Sequence, residues 1–216
     1  MRISEIEHQC AELNQRQLTC FGISCFGMLS HSAKDFIDSR LSDLKSVWDA
    51  RGLDLGADFM ELIYHELATA FKNGTTSASE KSLSTLDNAF VTREDGSFEE
   101  SSCLLFGAAY TLGRLSFLSF ESDLKNQDVF GEVETTILQG VCHGLFNVAE
   151  PYSPHSDEMW HGIRTSTSYL QAAKDIEYAI GFAKQEKILP LGERKWDFEF
   201  FGLPFDGSKN RDMFSL

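Results

Sequence analysis

No proline occurs among the first 150 residues of this 216-residue chain; all four fall later, at Pro151, Pro154, Pro190 and Pro204. A chain without proline keeps every backbone donor, so long uninterrupted helices are open to it. Basic residues are also scarce: 19 Lys and Arg stand against 33 Asp and Glu, a formal net charge of -14. Phosphate binding needs a basic footprint, which argues against nucleic acid as a partner, and anionic membrane surfaces are disfavoured on the same ground. Five cysteines, an odd number, sit in apolar stretches at 10, 20, 25, 103 and 142. They read as reduced thiols and not as a disulfide framework.

Short catalytic signatures are missing as well. There is no glycine-rich dinucleotide loop, no Walker phosphate loop, no GxSxG elbow and no HExxH zinc motif. The opening residues, MRISEIEHQCAELNQ, have no apolar stretch of the kind a signal peptide carries. The longest apolar run, Cys103 to Phe120, approaches the length of a membrane span but holds Arg114 and is followed by an acidic ESD. A helix buried by its neighbours is expected there. These readings together give a cytoplasmic expectation, with no cofactor implied.

What is present is helical periodicity. Apolar residues make up 42% of the chain, with 18 Phe, enough for a sizeable core. Ile3, Ile6, Cys10 and Leu13 step by three and four, and the stripe continues, displaced, through Leu18, Phe21, Cys25, Met28 and Leu29. The spacing predicts one helix over 3–29. The repeated Cys-Phe-Gly at 20–22 and 25–27 lies inside it. Five residues on a helix leave the two cysteines roughly 140° and about 8 to 9 Å apart, too far for a disulfide. The repeat therefore reads as packing, with Gly22 and Gly27 permitting close helix approach. Further helices are expected from a Ser32 cap to a Gly52 stop, over 56–72 with Asn73-Gly74 as terminator, and over about 78–90, 98–120, 128–149 and 165–187. In the helix over 56–72, Phe59, Leu62, Ile63 and Ala70 are read as the buried face.

The C-terminal KWDFEFF alternates aromatic and acidic residues, the period of an extended chain. The fold expected is all-α: a single domain over 1–216, a bundle or orthogonal array of about seven helices spanning about 1–188. An extended or strand-like aromatic arm covers about 189–216.

Three clusters are candidates for chemistry. Asp58, Glu61 and His65, at offsets of three and four, share one helix face that could hold a metal or an acid–base pair. The same face is where an amphipathic helix keeps its solvated residues. Glu-x-x-His occurs twice, at Glu5–His8 and Glu158–His161, a spacing used in pairs by di-metal bundles. The third cluster, His155, Asp157, Glu158, Trp160, His161 and Arg164, crowds a connector just after two prolines. Its tryptophan and arginine suit an interface, and His155, Glu158 and His161 could alternatively ligate a metal.

An acidic, compact chain without catalytic spacing points to a protein-binding module with a basic protein partner. One such role is that of an immunity protein occluding the active site of a bacterial toxin. A metal-binding helical enzyme using His155, Glu158 and His161 is one alternative, and a homodimeric structural or regulatory subunit is another.

Overall fold

The structure, a computed structural model, describes residues 3–39, 41–74, 77–89, 131, 133–134 and 164–196. Helices make up 75% of these residues and no strand occurs among them, so the described part is all-α. Six helices are defined: α1 (Ile3–Ala11), α2 (Gln15–Ser39), α3 (Leu41–Ala50), α4 (Phe59–Asn73), α5 (Ser77–Asn88) and α6 (Thr167–Ala183). The stretches expected to be helical over 98–120 lie outside the described residues. So do nearly all of 128–149 and the part of the C-terminal arm beyond Trp196.

The first expected helix is two. Asn14 ends the run: its side chain accepts from the Gln17 backbone N–H at 2.9 Å, and the Gln17 side chain accepts from the Asn14 N–H at 3.0 Å. That reciprocal capping box satisfies two donors that a helix start otherwise leaves open, and contributes about 1 kcal/mol. The displacement of the apolar stripe between Leu13 and Leu18 is the trace of this break. Ser32, expected as a cap, is instead inside α2, which runs on to Ser39. Its hydroxyl donates to the Met28 carbonyl at 2.8 Å, the bond a serine makes within a helix.

The expected stops at Gly52 and Gly74 are found. Both take positive φ, 71° and 66°, where glycine avoids the clash a Cβ would bring. At Gly52 the N–H reaches Asp49 O and that of Leu53 reaches Trp48 O, closing the last turn of α3.

Helix α2 is the axis of the described core. From Leu18 to Ser30 every residue is buried, including Phe21, Ile23, Phe26, Met28 and Leu29. It packs against α4 on one side and α6 on another, while α5 lies on α4 and α1 on α6. Cys10, Cys20 and Cys25 are buried free thiols. Burial pushes Cys10 and Cys20 up to about 12 and Cys25 well above its ordinary value. The Cys-Phe-Gly repeat is thus packing. Gly27 has the use its sequence position suggested: the Tyr64 ring of α4 lies where a Cβ would stand. Trp48, fully buried, meets Phe59 edge-on at 5.3 Å and donates its indole N–H to Ala89 O at 2.9 Å, tying α3 to the end of α5.

One core assignment is overturned. Leu62 is 55% exposed, and the buried face of α4 runs through Phe59, Met60, Ile63, Tyr64, Leu67, Ala70 and Phe71. Tyr64 takes the inward place because its hydroxyl has a buried acceptor.

Candidate functional site

After α6 the chain turns through Lys184, Gln185 and Glu186 and becomes a non-helical strap over 187–196. Glu186 occupies the left-handed region at φ 56°, and its N–H and that of Lys187 close the helix onto Ala183 O and Phe182 O. Glycine is the usual residue in this position. Arg16 of α2 holds Glu186 at 2.9 Å and stacks on the Phe71 ring at 4.6 Å.

The strap is bound to the helices by side chains that read its backbone. Ser24 of α2 donates to Cys20 O at 2.6 Å and accepts from Leu189 N at 2.9 Å. Ser32, eight residues on, accepts from Trp196 N at 2.7 Å. Between them Tyr64 of α4 donates to Leu189 O at 2.6 Å. Burial pushes the Tyr64 phenol up to about 12, partly offset by a hydrogen bond with the Leu191 backbone, so it stays a donor at any ordinary pH. Leu189 and Trp196 are the two fully buried side chains of the strap. On the α6 side, Arg194 stacks on Tyr178 at 4.6 Å and reaches the buried carboxylate of Asp175 at 3.7 Å, which also accepts from Gln171 at 3.2 Å. A burial of this kind is sustained only by such partners.

Beside the strap lies a charged node. The Glu61 side chain of α4, 15% exposed, accepts from His31 Nδ1 at 2.9 Å and from Lys34 Nζ at 3.3 Å, both on α2. Partial burial raises the Glu61 carboxyl, but the hydrogen bonds and charges of His31 and Lys34 outweigh it and hold the group below its usual value. A carboxylate that fixes Nδ1–H leaves Nε2 as the acceptor of the neutral ring. The strap passes close by: a Cβ on Gly192 would lie 3.8 Å from His31 Cε1 and Nε2. Among the described residues Glu61 is the one hydrogen-bond partner of the His31 ring. It joins α2 to α4 and orients the imidazole under the strap.

This node carries a pH prediction. The folded carboxyl titrates below the unfolded one, so the unfolded chain takes up the proton first as pH falls. The stabilisation is complete above the ordinary carboxylate range and is lost as pH drops through the depressed folded value. Glu61→Gln is expected to lower stability by about 1 kcal/mol at pH 7, a figure already discounted for half-exposed Lys34. The gap between variant and parent should close below about pH 4 in urea melts. A gap that persists into acid would assign the effect to packing.

The sequence-named residues are placed as follows. Asp58 is exposed at the N-cap of α4 and makes no side-chain cap bond. Glu61 points to α2, while His65 is exposed with its ring against Tyr64 at 5.3 Å. The three therefore share a helix but not a site. Glu5 and His8 are exposed on α1, where His8 lies 3.6 Å from Glu12. Arg164 is exposed and interacts with Tyr169, whose phenol is raised by burial and by Glu134 at 3.3 Å, with Arg164 opposing. His155, Asp157, Glu158, Trp160 and His161 lie outside the described residues.

Sequence reasoning did not single out His31, Lys34, Ser24, Asp175 or Arg194, and it named Ser32 only as a cap. One signal was available: Asp175 stands in line with Ala172, Ile176 and Ala179 on the buried stripe of α6, an acid where an apolar residue belongs. Among the described residues no group of three His, Cys, Asp or Glu side chains converges as a metal site would require. No described helix is long and apolar enough to cross a membrane. Comparison with protein-family models, with curated proteins and with solved structures finds no match.

Proposed function

We propose that the chain is a protein-binding module of the cytoplasm whose partner is a basic protein, and that an immunity role against a toxin domain is the form this takes. The observation that carries the reading is the net charge of -14. It is supported by where acids sit: Asp35, Asp38, Asp43, Asp49, Asp54 and Asp58 are all exposed, following one another from the end of α2 through α3 to the start of α4. Such a field draws in a basic partner and excludes acidic ones. The polar groups turned inward, Asp175 and the serines of α2, are engaged in holding the fold together, which leaves the outer surface for recognition.

The test is to look beside this chain's gene for an open reading frame with a toxic C-terminal domain and to co-express the two. Restored growth is expected, together with a complex whose association rate falls at least about tenfold between 0.05 and 0.5 M salt. No complex, or an association rate indifferent to salt, would remove the reading. The metal-enzyme alternative rests on His155, Glu158 and His161 and would show instead as stoichiometric metal lost on His161→Ala.

A further inference from the structure

We propose that the groove between α2 and α4 accepts residues 187–196 of a second copy of the chain, giving a strap-exchanged dimer. The contacts that seat the strap all run between it and the helical body. Ser24 and Tyr64 take the two backbone groups of Leu189, Ser32 takes the N–H of Trp196, and Asp175 with Tyr178 takes Arg194. A second copy's strap brings the same groups, so exchange keeps every one of these bonds. What differs between the closed and exchanged forms is the hinge, and the hinge is where the closed form is strained. Glu186, an L residue with a full side chain, is held at φ 56° to fold the strap back on its own helices. In an exchanged dimer the hinge opens and that residue relaxes.

Two features hold the native chain closed. A tether of three residues, Lys184 to Glu186, gives the strap an effective concentration on the order of millimolar at its own groove. The Arg16–Glu186 ion pair fastens the turn itself. A micromolar solution of the native chain is therefore monomeric, and the exchanged form needs either high concentration or a hinge that cannot close. The exchange is independent of any toxin partner, because occupant and receptor both belong to this chain.

Glu186→Pro supplies such a hinge, since proline cannot adopt φ near +56° and lacks the N–H that closes onto Ala183 O. At about 50 µM, far below the millimolar tether, light scattering should report twice the 24.3 kDa of one chain, with the Leu189 and Trp196 amides still protected from exchange. Adding Ser24→Ala and Ser32→Ala to that variant should weaken the dimer at least about tenfold. Deletion of Gln185 and Glu186, which shortens the tether below what closure needs, should dimerise in the same way. A helical Glu186→Pro chain that stays monomeric, or a dimer whose two strap amides exchange freely, overturns the proposal. Should both hinge variants lose their helical signal, the native chain at about 1 mM gives the deciding measurement. A dimer fraction with protected strap amides is expected, and its absence overturns the proposal equally.

Discussion

Gly27→Val is expected to destabilise the protein by about 3 kcal/mol, although valine forms helix better than glycine. A Cβ at Gly27 would stand 2.7 Å from Tyr64 Cε2 and 2.8 Å from Cδ2, closer than carbon atoms approach. The ring cannot simply step aside. Tyr64 is 4% exposed, and its hydroxyl is spoken for by Leu189 O, so displacing the ring also unfastens the strap. Gly181 in α6 is the matched control, because a Cβ there meets nothing within 4 Å. Gly181→Ala should stabilise by up to about 1 kcal/mol, the intrinsic helix gain, while Gly27→Ala should lose about 1 kcal/mol despite that same gain. Urea melts of the two variants decide it: shifts of the same sign would mean that the Gly27–Tyr64 contact does not set the distance between α2 and α4. In a Tyr64→Leu background Gly27→Ala should cost less than it does in the parent, since the two positions are in contact.

Trp48→Ala should cost about 3 to 5 kcal/mol, the largest single effect expected among the described residues. The side chain is fully buried, packs edge-on against Phe59 and donates to Ala89 O. Its removal leaves both a large cavity and a buried carbonyl without its donor. Trp48→Phe separates the two contributions. It keeps most of the ring volume and loses the indole N–H, and about 1 to 3 kcal/mol of the deficit should remain. If phenylalanine restores full stability, the hydrogen bond to the end of α5 contributes nothing, and the link between α3 and α5 is packing alone. Thermal midpoints serve as a second readout, at roughly 2 to 4 °C per kcal/mol for a chain of this size.

The parts of the fold that could be read in advance are those governed by neighbours along the chain. Gly52 and Gly74 end helices because the left-handed residue that closes a helix favours glycine whatever surrounds it. The thiols of Cys20 and Cys25 are apart because helical geometry puts them apart. The break at Asn14 was equally local, and the Asn-x-x-Gln signature stood in the sequence. It competes with an apolar stripe that continues, displaced, across it from Leu13 to Leu18. Ser32 shows the opposite error. A serine before an acid looks like a cap, yet here the hydroxyl is needed deep in α2 to receive Trp196, a partner 164 residues away. Glu61 illustrates the general limit. Its place on α4 was legible, but its meaning comes from His31 and Lys34 on another helix, and no spacing within α4 encodes them. An extended segment from about 189 was expected, but where it docks was beyond reach for the same reason, since the bonds that seat Leu189 and Trp196 join residues more than a hundred positions apart.

The buried thiols give this protein an internal clock. Burial holds the Cys10 and Cys20 thiols protonated at pH 7, and neither is exposed to a reagent. An alkylating probe reaches them only when the core packing around α1 and α2 opens. The rate at which those two sulfurs become labelled therefore times the opening of the helical body from within, without any dye, tag or substitution.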